Sequence, residues 1–206
     1  LQKFEALEAE NMRLRALLDS SFKVGDRVQI AELVAVEQDP FRQLVLINRG
    51  SSSGLFSGQP VVDAQAVVGQ VDQVNPFSAT VILISDASHA LPVQVNRNGL
   101  RTIALGTGLI NQLELPHLPN NADIRPGDHL STSGLGGRFP PGYPVAEVTE
   151  VRQEPGQPFA TVIARTIAHL DRIREVLLVW TLNPETSLEQ SPQPAPADTA
   201  GAEDTR

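Results

Sequence analysis

The chain carries a second, weaker copy of its own first half, and that duplication limits what it can fold into. Gln43-Leu44-Val45-Leu46 aligns with Gln112-Leu113-Glu114-Leu115, and Gly58-Gln59-Pro60-Val61 aligns with Gly127-Asp128-His129-Leu130 without a gap. Beyond a longer loop in the second copy, over 132–140, Val68, Val71 and Val74 meet Val145, Val148 and Val151. Ala79-Thr80-Val81-Ile82 then meets Ala160-Thr161-Val162-Ile163. Apolar residues at every third position do not fit strand alternation, so both of these strands are expected to bend or bulge. A shared irregularity marks a repeat. A period of about 70–80 residues is too long for a solenoid unit and suits two small domains.

Composition points to β structure. There are 16 prolines, 15 glycines, one Trp and one Tyr among many short Val/Ile/Leu runs, which favours short strands joined by turns. The net charge is −8, but Glu185, Glu189, Asp198, Glu203 and Asp204 against Arg206 put half of it in the tail. The remainder is nearly balanced and shows neither a basic nucleic-acid surface nor a polybasic membrane patch. With no cysteine, disulfides, thiolate metal sites and a cysteine nucleophile are excluded. No apolar run reaches membrane-spanning length and no signal peptide is visible. The chain starts at Leu1 inside a helical pattern without a Met, so an upstream piece is expected beyond it.

Residues 1–22 read as a dimerisation helix. Phe4, Asn11 and Leu18 occupy heptad position a, with Leu7 and Leu14 at d. Lys3 then faces Glu8 and Glu10 faces Arg15 across a parallel pair, and a buried Asn at a favours two in-register strands. The same pattern also allows an amphipathic helix packed on its own domain. From 23 to 98 and from 99 to 183 the chain reads as two β-barrel domains of about six strands each, closed because open edges would be exposed. Segments 24–36 and 176–182 could complete either barrel, which leaves strand exchange open. Residues 184–206, rich in Pro, Ala and acid, are expected to be a disordered tail.

The residues offer little chemistry. His89, His117, His129 and His169 are scattered without metal-ligand spacing, and neither a metal nor a cofactor is expected. Paired six-stranded barrels do suggest a chymotrypsin-type protease. Gly127-Asp128-His129-Leu130-Ser131, however, displaces the serine and lacks the glycines that a nucleophile loop needs. Gly134-Leu135-Gly136-Gly137 fits no phosphate-binding pattern. The long loop around it has apolar residues in a Gly/Pro frame, which makes Leu135, Phe139 and Tyr143 the candidate partner contacts. A loop folded back on its own barrel is the other reading. Asp39-Pro40-Phe41 is expected to seat a core Phe.

Several ordered blocks together carry a resemblance. They are the heptad helix with Glu10-Asn11 and Leu14-Arg15, Asp39-Pro40-Phe41, INRGSSSGL (47–55), GQPVVD (58–63), VVGQV (67–71), LISD (83–86) and RPGDHLSTSGLGGRFPPGYPVAEV (125–148). The chain resembles the MreC family of rod shape-determining proteins across residues 1–183, without the tail. The resemblance implies two β-barrels of the trypsin type without a catalytic triad, behind a coiled coil that holds a dimer able to assemble into filaments. It implies a non-catalytic scaffold on the periplasmic side of the bacterial inner membrane, held by a single-pass anchor that precedes this stretch. The implied partners are penicillin-binding protein 2, RodA, MreD and, through a cytoplasmic end, MreB, with lateral peptidoglycan synthesis as the process served. From residues alone the competing class is a periplasmic adaptor of a transport or secretion complex. Such adaptors carry two helical arms, and here there is one.

Overall fold

The computed structural model describes residues 9–16, 27–36 and 42–180. Residues 9–16 are helical. The remainder is built from twelve strands: β1 (Arg27–Val36), β2 (Leu44–Ile47), β3 (Pro60–Val62), β4 (Val67–Val74), β5 (Ala79–Leu83), β6 (Ala90–Val95), β7 (Arg101–Gly106), β8 (Gln112–Glu114), β9 (His129–Thr132), β10 (Pro144–Arg152), β11 (Thr161–Thr166) and β12 (Glu175–Trp180). They form two closed antiparallel barrels. Around the first the order is β12-β3-β4-β5-β2-β1, and around the second β6-β9-β10-β11-β8-β7.

These two orders are the same order. β7 to β11 repeat β1 to β5 in sequence and in place, but the sixth strand of each half sits in the other barrel. β6 follows β5 along the chain yet pairs with β7 and β9, while β12 follows β11 yet pairs with β1 and β3. The division at 98/99 read from the sequence therefore cuts across the barrels: Ala90–Val95 belongs to the second and Glu175–Trp180 to the first. Each half donates one strand and receives one.

The irregular valine spacing has its expected cause. The β4–β5 ladder slips between Val71 and Gln73, and the β10–β11 ladder slips between Val148 and Glu150. Asp72 and Thr149 are the extra residues, at matching places in the two copies. Beside each bulge a glycine at φ 89° turns the chain, Gly58 in one barrel and Gly127 in the other. The Gly58 amide donates to the Val71 carbonyl at 2.7 Å, and the Gly127 amide to that of Val148 at 2.8 Å. One detail of the repeat shifts. Leu44 faces Ile82, whereas Ile163 faces Glu114 rather than Leu113, so β8 is displaced by one residue from the sequence alignment. A three-residue strand has too little alternation to specify its register.

Packing follows the pleat where the strands are regular. Ala79, Val81 and Leu83 of β5 point inward, as do Leu91, Val93 and Val95 of β6. β12 differs, because Val176, Leu177, Leu178 and Val179 are all fully buried. A continuous apolar run of this kind belongs to a strand covered on both faces. At about 1.5–3 kcal/mol per buried side chain, this strand contributes an amount comparable with the stability of a whole domain. Buried apolar residues of both barrels join in a single cluster.

Close backbone approach sets a sharp constraint at Gly69 in β4, where a Cβ would lie 2.1 Å from the Ile82 carbonyl oxygen. Gly69→Ala should cost about 3 kcal/mol, read as a lowered urea midpoint with unchanged slope.

Candidate partner-binding surface

The loop between β9 and β10 is built from its neck outward. Thr132 is fully buried, and its hydroxyl donates to the Pro140 carbonyl while accepting the Tyr143 amide at 2.8 Å. Its own amide donates to the Tyr143 carbonyl, and its carbonyl accepts the Gly142 amide, both at 2.8 Å. Beyond this neck Gly134, Gly136, Gly137 and Gly142 all hold positive φ. Gly134 lies against Pro141, where a Cβ would come within 2.9 Å of the ring. The loop is therefore shaped by its own backbone.

Its apolar side chains divide. Phe139 is only 6% exposed and belongs to the core, so it does not stand at the loop tip as the sequence suggested. Leu135 is 53% exposed, and Tyr143 is partly buried against the core. A Gly/Pro frame lets a loop fold inward as readily as outward, and Phe139 has an apolar seat available. On the other side of the loop, Gly137 and Arg138 face Phe56, Ser57 and Asp72 of the first barrel across a groove of about 380 Å³. Phe56 is itself half exposed there. The loop of one barrel thus overhangs the bulge of the other.

Within the core Phe139 also meets His89, on the connection between β5 and β6. The rings meet edge to face, with centroids 6.4 Å apart and planes at 82°. Neither imidazole nitrogen has a hydrogen-bond partner. Burial pushes the His89 pKa down to about 4; Asp86 opposes that shift and Arg138 adds to it. Ser85, Asp86 and Ser88 lie in the same turn, but they do not form a relay with the histidine. The Asp86 carboxylate accepts the Gln43 amide at 2.6 Å and the Ser88 amide at 2.8 Å and hydroxyl at 2.6 Å. Ser85 donates to the Gln43 side-chain carbonyl. This turn is tied across the barrel junction, since the Gln43 side-chain amide also reaches the Gly108 carbonyl at 2.7 Å.

A second polar cluster braces the second barrel. Arg97 grips Asp128 with two donors at 2.8 and 2.9 Å and reaches Asp123 at 2.7 Å. Arg97 holds the Asp123 carboxyl down at about 2. The arrangement pins the β6–β7 turn to the segment before β9. Neither this clamp nor the His89 seat was legible in the sequence, because each joins residues from distant turns. On the first barrel, Arg13 of the helix pairs with Glu175 of β12 at 2.6 Å. Leu14 packs partly buried against the barrel core and Asn11 is exposed. Phe4, Leu7 and Leu18 lie outside the described residues, as do Asp39-Pro40-Phe41. Among the described residues no helix is long and apolar enough to cross a membrane.

Comparison with known proteins places this architecture. The family model for the rod shape-determining protein MreC, barrel core, matches residues 33–180. The chain belongs to the MreC family. It is 44% identical over 190 residues to the cell shape-determining protein MreC of Haemophilus influenzae, covering 92% of this chain and 54% of that protein. With MreC of Escherichia coli it shares 47% identity over 171 residues, which is 83% of this chain and 47% of that one. It therefore spans about half the length of these relatives. A solved MreC structure superposes with a TM-score of 0.81 at 52% identity, over 85% of this chain and 99% of that chain. The crystal structure of MreC from Pseudomonas aeruginosa gives 0.73 at 52% identity, over 75% of this chain and all of that chain. A chain in a complex between penicillin-binding protein 2 and MreC from Helicobacter pylori shares the fold at a TM-score of 0.57 and 18% identity, covering 74% of this chain and 99% of that chain. MreC proteins are cell shape-determining proteins, and the paired barrels are their common core.

The His89 seat makes stability depend on pH. The folded state keeps this imidazole neutral while the unfolded chain protonates it near the ordinary value of about 6.5. The unfolded state then binds more protons between the two values, so stability is full above about pH 6.5 and falls as the pH drops toward 4. The loss should be roughly 3 kcal/mol in urea titrations at stepped pH, and His89→Phe should remove most of it.

Proposed function

We propose that the chain is the barrel-bearing part of a non-catalytic scaffold in the bacterial cell-elongation machinery. It works on the periplasmic side of the inner membrane and organises and activates lateral peptidoglycan synthesis, and with it the formation and upkeep of rod shape. Family membership supports this reading, and the complex of penicillin-binding protein 2 with an MreC of the same fold is the observation that carries it. Penicillin-binding protein 2 is accordingly the proposed direct partner. RodA, MreD and, through a cytoplasmic end, MreB complete the proposed assembly. The helix that begins in residues 1–22 joins two copies in parallel, with filaments as a further step.

Such a scaffold needs no chemistry of its own. If it binds the active form of a transpeptidase more tightly than the resting form, it shifts that enzyme's population by the difference in affinity. The proposed contact is the overhang between the barrels. There Leu135 and Phe56 are exposed on two segments whose relative position is fixed by the strand exchange. Phe139 contributes by holding the loop and not by touching the partner.

Sedimentation of the chain with the periplasmic region of penicillin-binding protein 2, across a concentration series, tests this. A saturable complex is expected, weakened about tenfold by Leu135→Ser in a chain that keeps its circular dichroism. A folded chain that forms no complex would count against the reading, and unaltered affinity in the variant would move the contact away from the loop.

A further inference from the structure

The long loop is attached to the rest of the molecule in two ways. Its neck is bonded through Thr132, and its far limb rests on the Phe139–His89 contact. The second attachment is unusual. His89 is 5% exposed, yet it spends neither ring nitrogen on a hydrogen bond. A buried polar ring without partners is held there only by packing, and a protonated one would need partners for two donors. The charged groups that bear on it are Asp86 in its own turn and Arg138 in the loop. Asp86 cannot turn to pair with it, because its oxygens already serve Gln43 and Ser88. Arg138 sits next to Phe139 in the loop itself, so a cation on His89 would face another cation on the segment it holds.

We propose that His89 and Phe139 form a latch that holds the β9–β10 loop docked and releases it when the imidazole takes up a proton. Release frees the far limb, carrying Gly137 and Arg138 away from the groove wall and exposing Phe139 beside Leu135. The neck at Thr132 keeps its own hydrogen bonds and the barrels keep their strand ladders, neither of which runs through the contact. The latch thus sets how much apolar surface the loop presents. It stands whether or not a transpeptidase is the protein that meets this surface.

Amide hydrogen exchange combined with imidazole NMR titration tests it on the intact chain. The Gly137 amide, bonded to the Gly134 carbonyl, reports the loop, and the Val71 and Val148 amides report the barrels. Between about pH 7 and about pH 4 the Gly137 protection factor should fall roughly a hundredfold, the factor that the separation of the two titration values allows, and at every pH it should lie below that of the barrel amides, because the loop opens while the barrels stay closed. His89 should titrate at the acid end of this range, where the fall in protection levels off. In His89→Phe the loop should stay docked across this range; His89→Leu serves as a second variant if the larger ring does not fit. Loop protection that does not change while His89 titrates would overturn the latch, and so would an equal acid loss in a folded His89 variant.

Discussion

The structure depends on a trade of strands. Each half of the chain makes five strands of one barrel and gives its sixth to the other, so neither barrel closes without the opposite half. The donated β12 holds the longest unbroken run of buried residues among the described strands, and its removal would open β1 and β3 as unpaired edges. Two barrels joined by a linker would be free to reorient, as small interfaces within a chain allow. Two barrels that exchange strands are not. The chain presents loops from both at a fixed separation, which is what a display scaffold requires.

Against that common frame, the differences between the copies become informative. Strand order, the bulges of β4 and β10 and the turns at Gly58 and Gly127 are the same in both halves, as closing a six-stranded barrel requires. The β9–β10 loop has no such obligation and is much longer than its counterpart β3–β4, and it reaches across to the first barrel. Gln59 in the first copy stands where Asp128 stands in the second, and only the latter engages an arginine clamp. Function is expected in what the repeat does not repeat.

Much of this was legible in the sequence. The valine spacing of three implies a bend or bulge in β4 and β10, and the ladders do slip there, at Asp72 and Thr149, a local consequence of backbone geometry. Partner choice for Ala90–Val95 and Glu175–Trp180 was not legible, because an apolar strand carries no signal for which of two equivalent gaps it fills. Burial of Phe139 was missed for a similar reason. A Phe in a Gly/Pro loop looks the same whether the loop points outward or folds onto a histidine fifty residues earlier in the chain. Leu14 is a zipper position by its heptad spacing, and it packs partly buried against the shared core. The heptad itself rests largely on Phe4, Leu7 and Leu18, outside the described residues.

The central claim is that strand exchange makes one mechanical body of two barrels. The chain has one Trp, Trp180, at the end of β12 in the first barrel, and one Tyr, Tyr143, immediately before β10 in the second. Following urea unfolding by Trp180 fluorescence and by the ring resonances of Tyr143 tests the claim directly. Coincident transitions, equal in midpoint and slope, are the expected result. Two separated transitions, with one barrel unfolding while the other stays intact, would contradict it.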